Sequence, residues 1–438
     1  MKTSNFQIVI LIIFGVAIVL GVLLFAGIIP GFRSTAGGTG GKITVWGTLS
    51  ADDLQPFLAS FNQKYRDSYT LNYVERPTAS FEADLVNSIA SGQSPDLVFF
   101  PQDLIVKDAN KFLPFTASDI STRDFKNNFI PAGEIYLNNQ GAIGLPVLVD
   151  PLVLYWNRSL FAAAGVASPP KVWSEVVTGS AGILGKLTLF DPKNAIVQSA
   201  IPLGDPANVD HFKEILATLM MQAGSPIATV DANGYHAALS SSQISVQSPA
   251  QAALDFFIQF ADPAKTTYTW NRSLPSSLEA FSGGLSAMYL GFASEWRHIR
   301  DKAPLINFDV AIVPQRDRSR EAAFANVLAL AVPRTSTKAA TAKQVAILIA
   351  NGTLAWDLAQ AAVLPPARRD LLTRSNQDPF LATFYSAALV GQAWYDPDKV
   401  KTQDLFANMT VGVLTGRVKS SEAINNAQQQ LGLLFKTQ

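Results

Sequence analysis

The 438-residue sequence contains no cysteine. That excludes disulfides, thiolate zinc sites, iron–sulfur clusters and a cysteine nucleophile. It also excludes the lipid-modified N-terminal cysteine that anchors many bacterial surface proteins. Charge of one sign is not in excess, with 34 Lys+Arg against 34 Asp+Glu. A balanced chain lacks the basic stripe that displaces counterions from nucleic acid, so no nucleic-acid partner is expected. It also lacks a polybasic block for an anionic membrane surface. Histidine is scarce: His211, His236 and His298 are scattered without a metal-binding HExxH pattern, so neither a metal nor a cofactor is expected. Gly-x-Ser-x-Gly, the usual nucleophile elbow, is absent. Charged residues make up only 16% and hydrophobic ones 48%, which excludes disorder and supplies a large core. The length predicts two to three domains.

Residues 8–29 carry no charge, and only Gly15, Gly21 and Gly27 among them are not apolar. As a helix this run reaches roughly 33 Å, enough for a hydrocarbon core of about 30 Å. Lys2 is the single charged side chain before residue 30, which favours a cytoplasmic N-terminus for residues 1–7. A cleaved signal peptide is the alternative. Its apolar region is shorter and ends near a small-x-small site, whereas Ser34-Thr35-Ala36 lies well beyond this run. An uncleaved single-pass signal anchor is the reading favoured here. Either way the body is delivered outside the cytoplasm, periplasmic or extracellular. Residues 30–41 (PGFRSTAGGTGG) are a flexible linker by composition. Gly40-Gly41-Lys42 misses the phosphate-loop pattern, because Ala36 and Ile43 stand where Gly and Ser or Thr are required.

Beyond the linker, short apolar runs alternate with helical periodicity. Residues 43–46 read as a buried strand; Ser50 followed by Asp53 opens a helix burying Leu54, Phe57, Leu58 and Phe61. Leu71 and Tyr73 alternate in a second strand, Phe81, Leu85 and Ile89 mark a second helix, and 97–100 (LVFF) is a third strand. This recurrence predicts βαβ units and a mostly parallel sheet. After Asp150 a helix-rich α/β region follows. Ser248-Pro249 starts a helix, strands are predicted at 286–290, 308–313 and 327–332, and a closing helix at 420–435 places Ala423, Ala427, Leu431 and Leu434 on one face. The pattern predicts an α/β protein of two similar lobes.

Five segments, in order, resemble the extracellular solute-binding proteins of ABC importers, in the carbohydrate-binding branch that includes maltose-binding protein. Ile43-Thr44-Val45-Trp46 with its polar turn resembles the family's first strand and ligand loop. Ser94-Pro95-Asp96 running into 97–100 resembles its third strand. Residues 144–161 (GLPVLVDPLVLYWNRSLF) resemble its crossover segment, continuing into Pro169-Pro170-Lys171-Val172-Trp173, and 281–288 (FSGGLSAM) resembles a late signature. The resemblance covers nearly all of 42–438. It implies the type II periplasmic-binding-protein fold, with ligand held between two lobes on a hinge. The lobes it implies are 42–147 with about 308–375, and 148–307 with about 376–438. The crossings fall near 147–150, 308–313 and 371–376. It further implies a sugar or oligosaccharide ligand, an ABC permease as partner and no catalysis. A tethered sensory or scaffold protein of the same fold is the alternative, with a surface glycoside hydrolase behind it.

A sugar offers hydroxyls around apolar ring faces, so its site calls for aromatic platforms with carboxylates and amides. Trp46 and Thr48 end the first strand, where open α/β sheets bind ligands. The resemblance places Phe100, Asp103 and Asp150 at sugar-contacting positions. It also puts Ser294 where the family carries a stacking tryptophan, leaving Phe292 or Trp296 to supply the platform. Trp270 stands in a polar stretch (TYTWNRS), and Trp394 precedes Tyr395-Asp396-Pro397 near the last crossing. The core reading is the alternative for each aromatic. Because Ser294 replaces that tryptophan, and Gln403 falls where a second stacking tryptophan belongs, maltose itself is not the expected ligand.

Overall fold

Ser50 starts the first helix as the spacing predicts: its hydroxyl accepts the backbone N–H of Asp53 at 3.3 Å, satisfying one of the helix's orphan donors. The structure is a computed structural model describing residues 41–178, 182–240, 247–317, 319–374, 376 and 378–437. The apolar run at 8–29 and all but the last residue of the linker lie outside these. Among the described residues no single helix is long and apolar enough to cross a membrane. The first lobe begins with strand β1 (Gly41–Gly47), helix α1 (Ala51–Lys64), strand β2 (Tyr69–Glu75), helix α2 (Phe81–Ala90) and strand β3 (Leu97–Pro101). Leu54, Phe57 and Phe61 of α1 turn inward, at the expected spacing of three and four. Both β2 and β3 pair parallel with β1.

The other long strands depart from a mostly parallel sheet. They are β4 (Leu145–Asn157), β5 (Met288–Phe292), β6 (Phe308–Ile312) and β7 (Ala323–Pro333). The sheet order is β5-β4-β7-β3-β1-β2, and β6 also pairs with β4. β7 is antiparallel to β3 and to β4, and β5 and β6 are antiparallel to β4. β4 changes partner along its length. Residues 145–151 lie beside β7, and 152–157 lie beside β5 and β6. The segment 308–313, where a return of the chain to the first lobe is expected, forms β6. β6 pairs with Val153–Asn157 beside β5, and the first later strand to run along β3 is β7.

Side chains alternate across β4, as the pleat dictates. Leu152 and Leu154 enter one buried cluster with Trp173, Leu216, Trp270 and Phe406; Val153 and Tyr155 enter the other with Phe281 and Tyr289. That second cluster continues to Ile43, Phe61, Leu97 and Phe100. The helices that complete the fold include α3 (Phe212–Ala223), α4 (Pro249–Ile258), α5 (Trp296–Lys302), α6 (Pro379–Leu389), α7 (Lys399–Leu414) and α8 (Ser420–Lys436). Ser248 caps α4 with Pro249 at its first position. On α8, Ala423, Ala427 and Leu431 are buried as predicted, with Phe435 more deeply placed than Leu434. Of the expected last crossing at 371–376, residue 375 lies outside the described residues. Beyond it α6 packs against β4 and β6.

Helix α3 is joined to the segment leading into α7 by a buried ion pair. Lys213 Nζ lies 2.8 Å from Asp396 Oδ2, with both side chains almost fully covered, and Thr402 Oγ1 donates to Asp396 at 2.8 Å. Removing one member of such a pair strands the other charge, whose desolvation is then uncompensated. Lys213→Ala is expected to lower unfolding stability by about 3–5 kcal/mol in a denaturant titration; a loss below about 1 kcal/mol would show the pair to be dispensable.

Candidate functional site

A cleft of about 610 Å³ opens between the lobes, at the carboxyl ends of the first-lobe strands. Gly47 ends β1 where a side chain could not fit: a Cβ there would stand 2.9 Å from the Phe99 ring and 3.0 Å from the Tyr73 hydroxyl. The chain can therefore turn sharply and deliver Thr48 to the cleft. A helical turn at Gln102–Leu104 follows β3 and delivers Asp103. Gln102 holds that turn against β7. Its Nε2 donates to the Ala325 carbonyl at 3.0 Å, and its Oε1 accepts the Val327 N–H at 3.2 Å. From the strands that run between the lobes come Asp150 and Asn326, and from the second lobe Ser294, Asp398 and Lys399.

Ser294 closes on Asp150 with two hydrogen bonds. Its N–H donates to Oδ1 at 2.9 Å and its hydroxyl to Oδ2 at 2.7 Å. Burial pushes the Asp150 carboxyl up to about 6. The two Ser294 bonds and His211 oppose that rise, and the Glu295 charge adds to it. Behind this pair, Glu295 accepts from Tyr289 Oη and the Phe292 N–H, both at 3.0 Å, and lies 2.7 Å from His211 Nε2. His211 reaches it from a left-handed backbone conformation (φ 55°) just before α3. Burial would lower the His211 pKa, but the hydrogen bond and charge of Glu295, with Glu214 and Asp210, raise it above the ordinary value.

The lobes also meet ionically along one flank. Lys107 Nζ stands 3.1 Å from Glu82 and 3.2 Å from Asp398 across the cleft, and Lys399 Nζ stands 3.4 Å from Asp103 Oδ2. Partial burial disfavours the Lys107 charge, yet the two carboxylates carry its pKa above normal. Asp398 is lowered, because the Lys401 N–H and Lys107 outweigh its own burial. The other oxygen of Asp103, Oδ1, is buried without a hydrogen-bond partner. Among the described residues no group of three or more His, Asp or Glu side chains could hold a metal ion.

Of the residues expected at the site, Thr48, Asp103, Asp150 and Ser294 line this cleft. The aromatics do not, and each has a packing reason. Phe100 is fully buried as the last core ring of its strand, 4.3 Å from Phe112. Trp270 is fully buried too; its polar surroundings are a satisfied interior, with Nε1 donating to Asn208 at 2.8 Å. Trp394 packs on Phe406, and Phe292 lies against His211 and Phe324. Trp296 stacks on Phe380 with the Arg300 guanidinium over its ring. Trp46 is covered by the Arg76 guanidinium at 3.8 Å. The sequence reading missed Gln102, Lys107, Asn326, Asp398 and Lys399. Only Asp398 left a local signal, as the cap that accepts the Val400 and Lys401 N–H groups.

Residues 57–383 match the model of a protein family described as bacterial extracellular solute-binding protein. The chain belongs to this family. The solute-binding protein is 24% identical over 137 residues to a maltotriose-binding protein of Pyrococcus abyssi. That alignment covers 31% of this chain, and the chain spans only 29% of that relative's length. It superposes on the cyclic α-maltosyl-1,6-maltose binding protein of Arthrobacter globiformis with a TM-score of 0.74 at 16% identity, covering 91% of this chain and 100% of the other. A cyclo/maltodextrin-binding protein complexed with maltotetraose gives 0.71 at 15% identity, covering 92% and 98%. At these identities the likeness is one of fold, and the fold is the two-lobed α/β fold of the maltose-binding proteins.

The placement of Trp270 can be checked directly. Trp270→Ala is expected to cost about 3–5 kcal/mol of stability by opening a core cavity, read from denaturant melts. A variant of unchanged stability that loses ligand binding would return Trp270 to the site.

Proposed function

We propose that this solute-binding protein captures a sugar or oligosaccharide in the interlobe cleft and delivers it to an ABC permease, without chemistry of its own. The body works outside the cytoplasm, tethered by residues 8–29 as a single-pass anchor. Membership of the extracellular solute-binding family supports the location and the permease partner. One observation supports the ligand class most directly: Thr48, Asp103, Asp150 and Ser294, drawn from four separate segments, face one cleft. Hydroxyls and carboxylates so arranged can replace the water that a sugar's hydroxyls give up on binding. The sugar-binding relatives named above favour the same class.

Thermal unfolding of the full chain in detergent, against mono- and oligosaccharides, tests this reading. A ligand at 100 times its dissociation constant adds about 2.7 kcal/mol, and Asp150→Ala should abolish the shift. A panel without any shift would remove sugar from the proposal.

Asp150 also sets a pH dependence. Its folded carboxyl titrates near 6, above the ordinary value. The native state therefore holds more protons than the unfolded chain between about pH 4 and 6, and the Asp150 contribution to stability falls as pH rises through that window. Binding runs the other way. Hydroxyl donors prefer the ionised carboxylate, so affinity should rise roughly tenfold from pH 5 to 7 as Asp150 deprotonates. In Asp150→Asn the calorimetric profile should be flat over this range; a rise that persists would assign the titration elsewhere.

A further inference from the structure

The charged groups of the cleft are unequal in number and unequally engaged. Glu82, Asp103, Asp150 and Asp398 face it as carboxylates, against Lys107 and Lys399. Both lysines are already taken: Lys107 sits between Glu82 and Asp398, and Lys399 lies beside Asp103. What remains for a ligand is acceptor capacity, in the Asp150 carboxylate and in the Asp103 carboxylate beside Lys399. An anionic solute would find no free cation among these lining groups and two carboxylates in its way. A hydroxyl would find acceptors, and an ammonium would find acceptors with charge.

The walls are also poor in rings. Phe81 is the one aromatic side chain among the described residues lining the cleft, and it is only 3% exposed. Long glucans have apolar ring faces that need platforms to stack on. A cleft without them holds a sugar by its hydroxyl edges, which suits one or two rings rather than four.

We propose that this cleft selects short, neutral or amino-bearing sugars through donors to Asp103 and Asp150, and rejects phosphorylated and uronic ones. The inference rests on the sugar-receptor reading and narrows it to a ligand class. Asp103 is then the residue that sets selectivity by charge, because its carboxylate neutralises Lys399 at the cleft wall.

Calorimetry on the full chain in detergent tests this with glucose, galactose and mannose, their 2-amino, 6-phosphate and uronate forms, maltose and maltotetraose. The amino form of the preferred hexose is expected to bind at least as tightly as its parent. The phosphate and uronate should bind about 100-fold more weakly, and maltotetraose no more tightly than maltose. Asp103→Asn, which leaves Lys399 unpaired, should narrow the uronate gap by about tenfold and remove any gain from the amino group. A phosphate or uronate that matches its parent, or maltotetraose binding about tenfold tighter than maltose, overturns the selectivity while leaving the sugar-receptor reading in place. Absence of heat with every probe overturns both.

Discussion

Strands β4 and β7 lie side by side over 145–151 and 325–330, and β4 then runs on to pair with β5 and β6. This shared pairing is the constraint from which the cleft follows. A strand that serves two lobes must bury both faces along most of its length, and β4 reads accordingly as an apolar run interrupted at Asp150. Pro151 cannot donate to a ladder, and the pairing of β4 with β7 ends at that residue. The pairing also slips between Leu328 and Ala329, opposite the stretch from Pro146 to Leu148. Gln102 supplies side-chain bonds to Ala325 and Val327, which ties the turn carrying Asp103 to the strand carrying Asn326. Position and chemistry are thus joined: the polar groups at this crossing are the ones that line the cleft.

Electrostatics completes what the strands begin. Two ion pairs link the lobes: Lys399–Asp103, partly exposed and so screened and individually weak, and the more covered Lys107–Asp398. Weak contacts suit a hinge. A buried apolar seal at the same place would hold the lobes together regardless of ligand, whereas screened pairs can separate and re-form. The segment bearing Asp398 and Lys399 is itself seated firmly, through the buried Lys213–Asp396 pair and Thr402 beneath it. Rigid support thus lies under the movable contact.

Much of the first lobe is legible in the sequence because its signals are local. The cap at Ser50, the spacing of Leu54, Phe57 and Phe61, and the run at 97–100 each specify an element without reference to distant residues. The pairing of β6 is not legible in this way. An apolar run at 308–313 reads as a strand, but its partner is chosen by long-range pairing with β4. The candidate site divides along the same line. Thr48 follows from the rule that ligands gather at strand ends, whereas Asp103 and Asp150 come from the family resemblance. The aromatic candidates pack away from the cleft, because a ring near a strand end can turn either way. Trp270 is the hardest to place from sequence, since its polar neighbours are themselves buried and bonded: Thr269 donates to the Ile201 carbonyl and Asn208 accepts the indole N–H. Lys107 gives no signal, because its partners Glu82 and Asp398 are remote in the chain.

The rings that left the cleft bear on what the cleft can do. An aromatic side chain placed in a core contributes its burial to stability at all times; on a cleft wall it contributes only when ligand covers it. This chain has placed Phe100, Trp270 and Trp394 in the first role, and carboxylates line its cleft. A carboxylate held partly desolvated with acceptor capacity unused is a standing cost of the empty state. In the receptor proposed here that cost would fall when donors arrive, so part of the drive for capture would lie in relieving the protein rather than in stacking the ligand. Recognition of this kind depends on where hydroxyls point around a ring, which distinguishes epimers more sharply than a flat platform can.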